Sequence, residues 1–426
     1  FNDWGTTTQS VNQLVPGVIA SLQRVSTNVS TSTKGNALEF LIALCDSHGS
    51  SALNYEHTSS EYQALMKGVI SCTKEEGIKC QALKMLQSMI SKSIPHNTQQ
   101  SEGAMVHDSS FDILVSTCTH LLKDKEGEVK KSAVEACSGL LEYGSIMKSK
   151  WLSEVWTCVA NTLDHESART TSMRCISRVL KKGGASQMLK DASVATTMLH
   201  KLQKLFNHRS RTIRSSALNC VTEIVTSFDV PLQSRIGLIE LSSNAMDQED
   251  PNLGVLHLIT KLLSKGNVED TLRASLRTNW DNNLWAKVVH IICSDRLDGI
   301  SLNKCCTFLK TITTVKGIDA YLIVKDILST SITTRSKTTM ICIAKCIASL
   351  CQSDTKCLTQ VIQTFSQTLS VQLDTIQQQE GKSNAQNNTQ SSTQSNTRSL
   401  QMALYCLGEI GLTTDLNLHV SKSHMQ

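Results

Sequence analysis

The 426-residue sequence has few aromatic residues and little proline, and it has no long hydrophobic run. It contains 4 Pro and 4% aromatic residues, whereas Leu, Ala, Ser, Thr, Lys and Gln are abundant, which favours helices over strands. Its longest apolar runs, such as Val288 to Cys293, fall well short of the roughly 18 residues that a membrane span needs. We therefore expect an all-α protein without a membrane segment.

An excess of one charge is also missing, and so are the common catalytic motifs. Lys and Arg number 42 against 37 Asp and Glu, and a net charge of +5 is too small for this length to indicate a nucleic-acid or membrane binder. The sequence has no phosphate-binding loop, no Gly-x-Ser-x-Gly elbow, no His-Glu-x-x-His and no Gly-x-Gly-x-x-Gly. We expect no enzyme, no cofactor, no metal and no small-molecule substrate.

The 16 Cys are not spaced like metal ligands or redox pairs, because no two are separated by two residues. Many lie on apolar helical faces, as Cys137, Cys220 and Cys346 do, and such residues are typical of a reduced core. The chain begins at Phe1 with no secretory signal pattern. These features predict a fragment of a longer protein of the cytoplasm and nucleus.

Three windows have the apolar period of an amphipathic helix, with residues three, four, seven and eight apart. They begin at Val129, Ile213 and Ile343, and each follows another apolar segment of helical length. A single apolar stripe needs a neighbouring helix to cover it, so each window predicts the second helix of a pair. The preceding segments are Phe111–Leu122, Val194–Phe206 and Ile318–Leu328.

Such pairs recur along the whole chain. One position near the start of each predicted second helix, usually a small residue, repeats every 38–51 residues, with 59 before the last. The aligned residues are Ala37, Ala82, Ala133, Met173, Ala217, Val255, Cys305, Ala344 and Ala403. A period of about 40–47 residues is typical of HEAT and armadillo arrays. Residues 1–426 are therefore predicted to form a single α-solenoid, a curved superhelix of about nine antiparallel helix pairs.

The long last interval has a local explanation. Residues 376–398 are rich in Gln, Asn, Ser and Thr and contain almost no apolar residue that a core could bury. We expect them to form a disordered insertion within the last repeat.

Two local patterns predict turns. Asp124 and Gly127 precede the Val129-Lys130 that opens a second helix, and in HEAT arrays such an acid often meets a basic residue of an adjacent repeat. The stretch around Trp280 and Trp285 holds Asn279, Asp281, Asn282 and Asn283, which also favours a turn.

The strongest charged cluster of the sequence is basic. It consists of Lys181, Lys182, Lys201, Lys204, Arg209, Arg211 and Arg214. It is either a surface that contacts an acidic partner or a phosphate group, or an ordinary solvated turn between helices, and we take these residues as candidates for partner binding.

Four blocks resemble the cullin-associated and neddylation-dissociated protein family, in the order and approximate spacing of its middle and later repeats. They are Leu14–Ile19 with Ser21-Leu22, the GEVKKSAVEACSGLLEY stretch from Gly127, Ile343–Ala348, and Leu407–Gly411 with Asp415-Leu416.

The resemblance implies a HEAT-repeat scaffold that binds the cullin and RING subunits of unmodified cullin–RING ubiquitin ligases. It implies an exchange factor for substrate-receptor modules that also competes with attachment of the ubiquitin-like modifier. No contact residue carries over, because no contact motif is recognisable in the sequence.

Two other functions use the same repeat. A karyopherin-like carrier is usually acidic with regular Trp and Asn ladders, whereas this chain is basic overall and its Trp residues follow no register. A tubulin-binding array needs Trp and basic residues in successive turns, and only the turns near Lys125 and Arg209 partly qualify.

Overall fold

The computed structural model describes most of the chain and divides it into two compact units, Phe1–Asp229 (unit 1) and Val230–Gln426 (unit 2). The described residues are 17–18, 22, 30–48, 60–93, 108–142, 149–182, 192–246, 253–264, 270–331, 336–380, 390–414 and 416. Five residues of the first family-like block, Leu14 to Pro16, Ile19 and Ser21, lie outside them, as does Asp415 of the last block.

Unit 1 contains nine helices within the described ranges. They are α1 (Thr31–His48), α2 (Ser60–Cys72), α3 (Lys79–Ser93), α4 (Asp108–Leu121), α5 (Gly127–Glu142), α6 (Ser149–Thr162), α7 (Glu166–Lys181), α8 (Ala192–Gln203) and α9 (Arg211–Ser227).

Unit 2 is built in the same way and includes one π-helical turn. Its described elements are α10 (Leu232–Ala245), α11 (Gly254–Ser264), α12 (Asp270–Asn279), the π-helix Trp280–Leu284, α13 (Trp285–Ile292), α14 (Gly299–Ile312), α15 (Ala320–Ser331), α16 (Lys337–Ser353), α17 (Thr355–Glu380) and α18 (Gln390–Gly411). No described residue of either unit lies in a strand. The all-α prediction is confirmed.

The helices alternate between two sets, as the repeat predicts. We call α1, α3, α5, α7, α9, α11, α14, α16 and α18 the B helices, and all nine aligned positions lie on them. The others are the A helices. Where the connection to the following B helix is described, as from α4 to α5 and from α6 to α7, a short turn joins the two helices into an antiparallel pair. Within each unit, consecutive B helices pack against one another, and they contribute much of the core.

Small residues allow this close approach. Ala82, Ala133 and Ala217 have no exposed surface. A Cβ atom at Gly127, the first residue of α5, would lie 2.9 Å from the Cβ of Ser167 in the first turn of α7. Consecutive B helices therefore pack tightly because the sequence places small residues where they meet.

Two turns between consecutive helices, one before the B helix α3 and one after the B helix α14, share one conformation that requires glycine. Gly77 and Gly317 have φ of 90° and 89°, which other residues rarely adopt. Each is followed by a buried isoleucine, Ile78 or Ile318. The left-handed glycine turns the chain so that this isoleucine enters the core at the start of the next helix or just before it.

The turn predicted around Trp280 is absent, because the helix continues there as the π-helix. Trp280 stacks on Trp285 with 4.8 Å between ring centroids, and it also contacts Phe308 of α14. Trp280 and Leu284 are buried. Aromatic packing thus outweighs the turn preference of the Asn residues, and the wider π turn accommodates the two indoles on one side.

The predicted insertion at 376–398 is bounded by helices longer than expected. α17 continues to Glu380 and α18 begins at Gln390, so both ends of the polar segment are helical. Gln is a good helix former, which allows packed helices to extend into a polar sequence. Residues 381–389 lie outside the described residues.

Enlarging a small residue between B helices tests this packing. We expect Ala133→Leu to destabilise unit 1 by about 1–3 kcal/mol, because three added carbon atoms have no space between α5 and its neighbours. The urea midpoint of the helical circular dichroism signal measures the effect. Ala274→Leu, on an exposed face of α12, is the control and should change stability by less than about 0.5 kcal/mol. Equal midpoints for the two variants would contradict close B-helix packing.

Candidate protein-interaction surfaces

Ion pairs join the turn of one helix pair to the helix start of its neighbour. Lys79 Nζ, at the start of α3, lies 3.0 Å from Asp124 Oδ2 in the turn of the next pair. Lys34 Nζ of α1 lies 2.5 Å from Glu75 Oε1 in the turn before α3. The acid at position 124 therefore meets a basic residue of the adjacent repeat, as its place in the turn predicts.

The ionisation of Asp124 follows from these contacts. Desolvation acts to raise the pKa of this carboxyl group, but the backbone N–H of Glu126 and the ammonium of Lys79 donate hydrogen bonds to it, and their combined effect lowers its pKa below the usual value. The same hydrogen bond raises the pKa of Lys79. Both groups are thus held in their charged forms.

Arginines replace this arrangement farther along unit 1. Arg169, the fourth residue of α7, donates from Nε to the Leu163 carbonyl at 2.8 Å and contacts His208 of the next turn. Arg214, the fourth residue of α9, donates to the carbonyls of His208 and Arg209 at 2.9 and 3.0 Å. Each guanidinium satisfies carbonyl groups of its own turn, which fixes the turn against the B helix.

A second set of ion pairs crosses the exposed part of α5, α7 and α9. Glu142 of α5 forms ion pairs with Arg178 and with Lys182, both at 2.7 Å, and Lys182 also donates a hydrogen bond to it. Lys181 lies 3.7 Å from Glu223 of α9. Arg174 lies 3.2 Å from Glu135, one helix turn earlier on α7. Three consecutive B helices are therefore linked by charge pairs along this face.

The seven predicted basic residues do not form one patch. Lys181 and Lys182 lie at the carboxyl end of α7, whereas Lys204, Arg209, Arg211 and Arg214 surround the amino end of α9. Glu223, the partner of Lys181, is about 18 Å along α9 from Arg211 at 1.5 Å per residue. Residues that are close in sequence are separated here because the A helix α8 lies between the two groups and carries the chain back to the amino end of α9.

Several of the seven side chains are already engaged. Lys201 on α8 contacts Asp164 Oδ2 at 2.5 Å and Asn161 Oδ1 at 2.9 Å, and only 16% of its side chain is exposed. Lys204 and Arg209 are exposed and form no ion pair within the described part of the chain. The turn between α8 and α9 is thus the basic surface that is most available to a partner.

Sequence reasoning missed the acids that pair with Lys181, Lys182 and Lys201. Asp164, Glu142 and Glu223 are each 37–42 residues from a basic partner. That separation is close to the repeat period, so opposite charges one repeat apart are the signal that would have revealed the pairs.

The described residues carry neither a metal site nor a membrane segment. No three of their His, Cys, Asp or Glu side chains are grouped so that they hold a metal ion. None of their helices combines the length and the apolarity needed to cross a bilayer. What these surfaces offer is an array of paired and unpaired charges on closely packed helices, which is suited to contact with another protein.

Comparison with known proteins supports the family seen in the sequence. Residues 5–137 match the family model described as CAND1-like, TPR repeats. Over that segment, the match agrees with the family resemblance seen in the sequence. No curated protein sequence matches the chain.

Solved structures show the fold. The chain is similar to the karyopherin Kap121p, in a crystal structure with the extreme C-terminus of the protein phosphatase Cdc14p, with a TM-score of 0.55 and 10% identity over 96% of this chain and 38% of that one. It is also similar to importin beta, with a TM-score of 0.52 and 10% identity over 94% of this chain and 54% of that one. The α-solenoid prediction is confirmed, and the chain spans about four tenths to half the length of these proteins.

The Asp124–Lys79 pair predicts a pH-dependent contribution to stability. We expect Asp124→Asn to destabilise unit 1 by about 1 kcal/mol at pH 7, because it removes the charge from a partly buried pair. A lowered carboxyl pKa stabilises the fold above the unfolded-state value of about 4, and this stabilisation is lost as pH falls through the folded-state pKa. The difference from the wild type should therefore narrow in urea unfolding at acidic pH.

Asp112→Asn is the matched control for this experiment. Asp112 is exposed on α4, and its substitution removes the same charge without breaking an ion pair between adjacent repeats. A loss of stability for Asp124→Asn that is equal at pH 7 and at pH 3 would contradict the ionic role of the pair.

Proposed function

We propose that this chain, which matches the CAND1-like family over residues 5–137, is part of a scaffold that binds unmodified cullin–RING ubiquitin ligases. Its partners in this proposal are the cullin and RING subunits, and its role is to promote exchange of substrate-receptor modules. The observation that carries the proposal is the family match. The proposed location of this activity is the cytoplasm and the nucleus.

The architecture supports a role in binding. Stacked helix pairs present a long surface whose side chains are fixed by neighbouring repeats, and large protein interfaces draw their affinity from such surfaces rather than from one pocket. In unit 1, cross-repeat ion pairs hold adjacent turns and B helices together. A rigid array loses less conformational entropy on binding than a flexible one.

Exchange requires only negative coupling between two ligands of the cullin. If the scaffold and the receptor module each weaken the binding of the other, linkage makes the two effects equal. A transient complex that holds both can then release either one. The proposed role of this chain in exchange is therefore binding, with no bond made or broken.

The turn between α8 and α9 is the proposed contact within unit 1. Lys204 and Arg209 project from it without an intramolecular ion pair among the described residues, and Arg211 is exposed beside them. Lys181 and Lys182 are more than half exposed, so their weak surface pairs could be exchanged for acids of a partner. Lys201 and Arg214 hold the turn in place.

A pull-down tests the proposed function. The immobilised chain is incubated with a purified cullin–RING complex, either unmodified or carrying the ubiquitin-like modifier, with a full-length member of the family as positive control. We expect capture of the unmodified complex only. Equal capture of both forms, or no capture by this chain when the control binds, would contradict the proposal for these repeats.

Charge reversal tests the contact surface. We expect Lys204→Glu combined with Arg209→Glu to weaken binding of the unmodified complex by about tenfold or more at low salt, with a smaller difference at high salt because surface charges are screened. Lys67→Glu with Lys84→Glu makes the same charge change at exposed helix positions of unit 1 outside the cluster. Similar losses for the two double variants would contradict a specific role of this turn.

The alternative function as a nuclear transport carrier is supported only by the shared fold. One solved structure of Kap121p holds Ste12p, but the chains are 10% identical, and this level of identity supports fold alone. If the chain did not bind cullin–RING complexes but bound a nuclear localisation peptide, the result would favour the carrier over the exchange scaffold.

A further inference from the structure

A groove crosses three B helices of unit 2 and has a thiol in its wall. It has a volume of about 300 Å³ and lies across α14, α16 and α18. Its lining includes Cys306, Lys310, Lys345, Ser349 and Glu409. Cys306 is only partly buried, so that a small molecule in the groove can reach its sulfur.

Behind this accessible thiol lies a second one. Cys346 of α16 is a close neighbour of Cys305 and Cys306 and affects the ionisation of Cys306, and neither Cys305 nor Cys346 has exposed surface. The two helices are consecutive B helices, which pack directly against each other. Cys306 therefore lines the groove, whereas the neighbouring Cys346 is enclosed in the core.

The charges around Cys306 favour the thiolate. The neighbouring Cys346 thiol has the largest effect and lowers the pKa of Cys306, whereas desolvation raises it. The Ser349 hydroxyl, Lys310 and Lys345 lower it further, and the resulting pKa is about 7. The groups around Cys306 are Lys310 of α14, Lys345 of α16, Glu409 of α18, and the thiols of Cys305, Cys342 and Cys346.

The other partly exposed thiol of this unit has no such surroundings. Cys293, at the carboxyl end of α13, is also partly buried, but desolvation alone raises its pKa to about 11. It makes a weak contact with the carbonyl of Ile327 at 3.7 Å. Cys293 therefore serves as a matched internal control of similar exposure without neighbouring cations.

We propose that Cys306 is an oxidation site for hydroperoxides, with Cys346 as the resolving thiol. The Cys306 thiolate attacks one oxygen of hydrogen peroxide, the O–O bond breaks, and sulfenic acid and hydroxide form. The Cys346 sulfur then displaces the sulfenic oxygen, which leaves as water with the Cys346 proton. Two thiols are oxidised to a disulfide and the peroxide is reduced to water.

The product would change both the groove and the stack. The disulfide removes the negative charge between Lys310 and Lys345, so the groove becomes more cationic. It also joins α14 to α16 covalently. This inference does not depend on the proposed cullin-binding function, because it concerns only the side chains of unit 2.

Alkylation and oxidation of the full chain test the site. With limiting iodoacetamide at pH 7, Cys306 should be alkylated at least about tenfold faster than Cys293, and its rate should fall below pH 7. Lys310→Gln with Lys345→Gln should move this profile to higher pH. Equal rates for Cys306 and Cys293 at pH 7 would overturn the proposal.

Mass spectrometry then follows the chemistry. Dilute hydrogen peroxide should give a disulfide between Cys306 and Cys346 that dithiothreitol reverses. Cys346→Ser should instead accumulate a dimedone adduct at Cys306. Cys305→Ser is the control, since it changes the neighbouring buried thiol and should leave the reaction intact. The oxidation site would be refuted if the wild type formed no disulfide and Cys346→Ser formed no dimedone adduct. If the disulfide were lost in Cys305→Ser but kept in Cys346→Ser, Cys305 rather than Cys346 would be the resolving thiol.

Discussion

Packing between consecutive B helices is the constraint on which the rest of the structure depends. A helix pair exposes one apolar face that it cannot cover by itself, so each repeat needs a neighbour. Ala82 and Ala133 have no exposed surface, and at Gly127 the backbone itself approaches the next B helix. Large residues fill the space between the two helices of a pair, as Phe308 does against Trp280.

The polar contacts follow from this stacking. Once the B helices are in register, residues one repeat apart become neighbours, and opposite charges at that separation form pairs such as Lys79–Asp124 and Lys182–Glu142. Exposed pairs contribute little to stability individually. Their contribution in unit 1 is to fix the turns and helix faces that a partner protein would meet, while apolar burial supplies most of the stability.

The same register explains why a charge cluster in the sequence is a poor guide to a binding surface. Lys181 and Arg211 are 30 residues apart, but the chain passes through α8 between them. Lys181 therefore lies at the carboxyl end of α7, whereas Arg211 lies at the amino end of α9. Conversely, Cys306 and Cys346 are 40 residues apart but lie on neighbouring B helices that pack against each other. In a solenoid, residues about one repeat period apart in the sequence become neighbours in space. Functional groups are therefore assembled from adjacent helix pairs rather than from consecutive residues of one helix.

The sequence alone determined the class of fold and the position of each helix pair. Apolar spacing and small residues at a period near 40 are local properties, and they located all nine B helices; the family-like blocks pointed to the same architecture. Sequence could not locate the π-helical turn at Trp280, where aromatic packing outweighs local turn preference.

Tertiary structure decided which charges are available and which thiol is reactive. Lys201 is neutralised by Asp164 and Lys204 is not, although the two are three residues apart. Cys305 and Cys306 are adjacent, but only Cys306 reaches the groove between lysines. The physical reason is that the energy of a charge depends on its solvent and on neighbours from other repeats, and these are defined only after the helices have stacked.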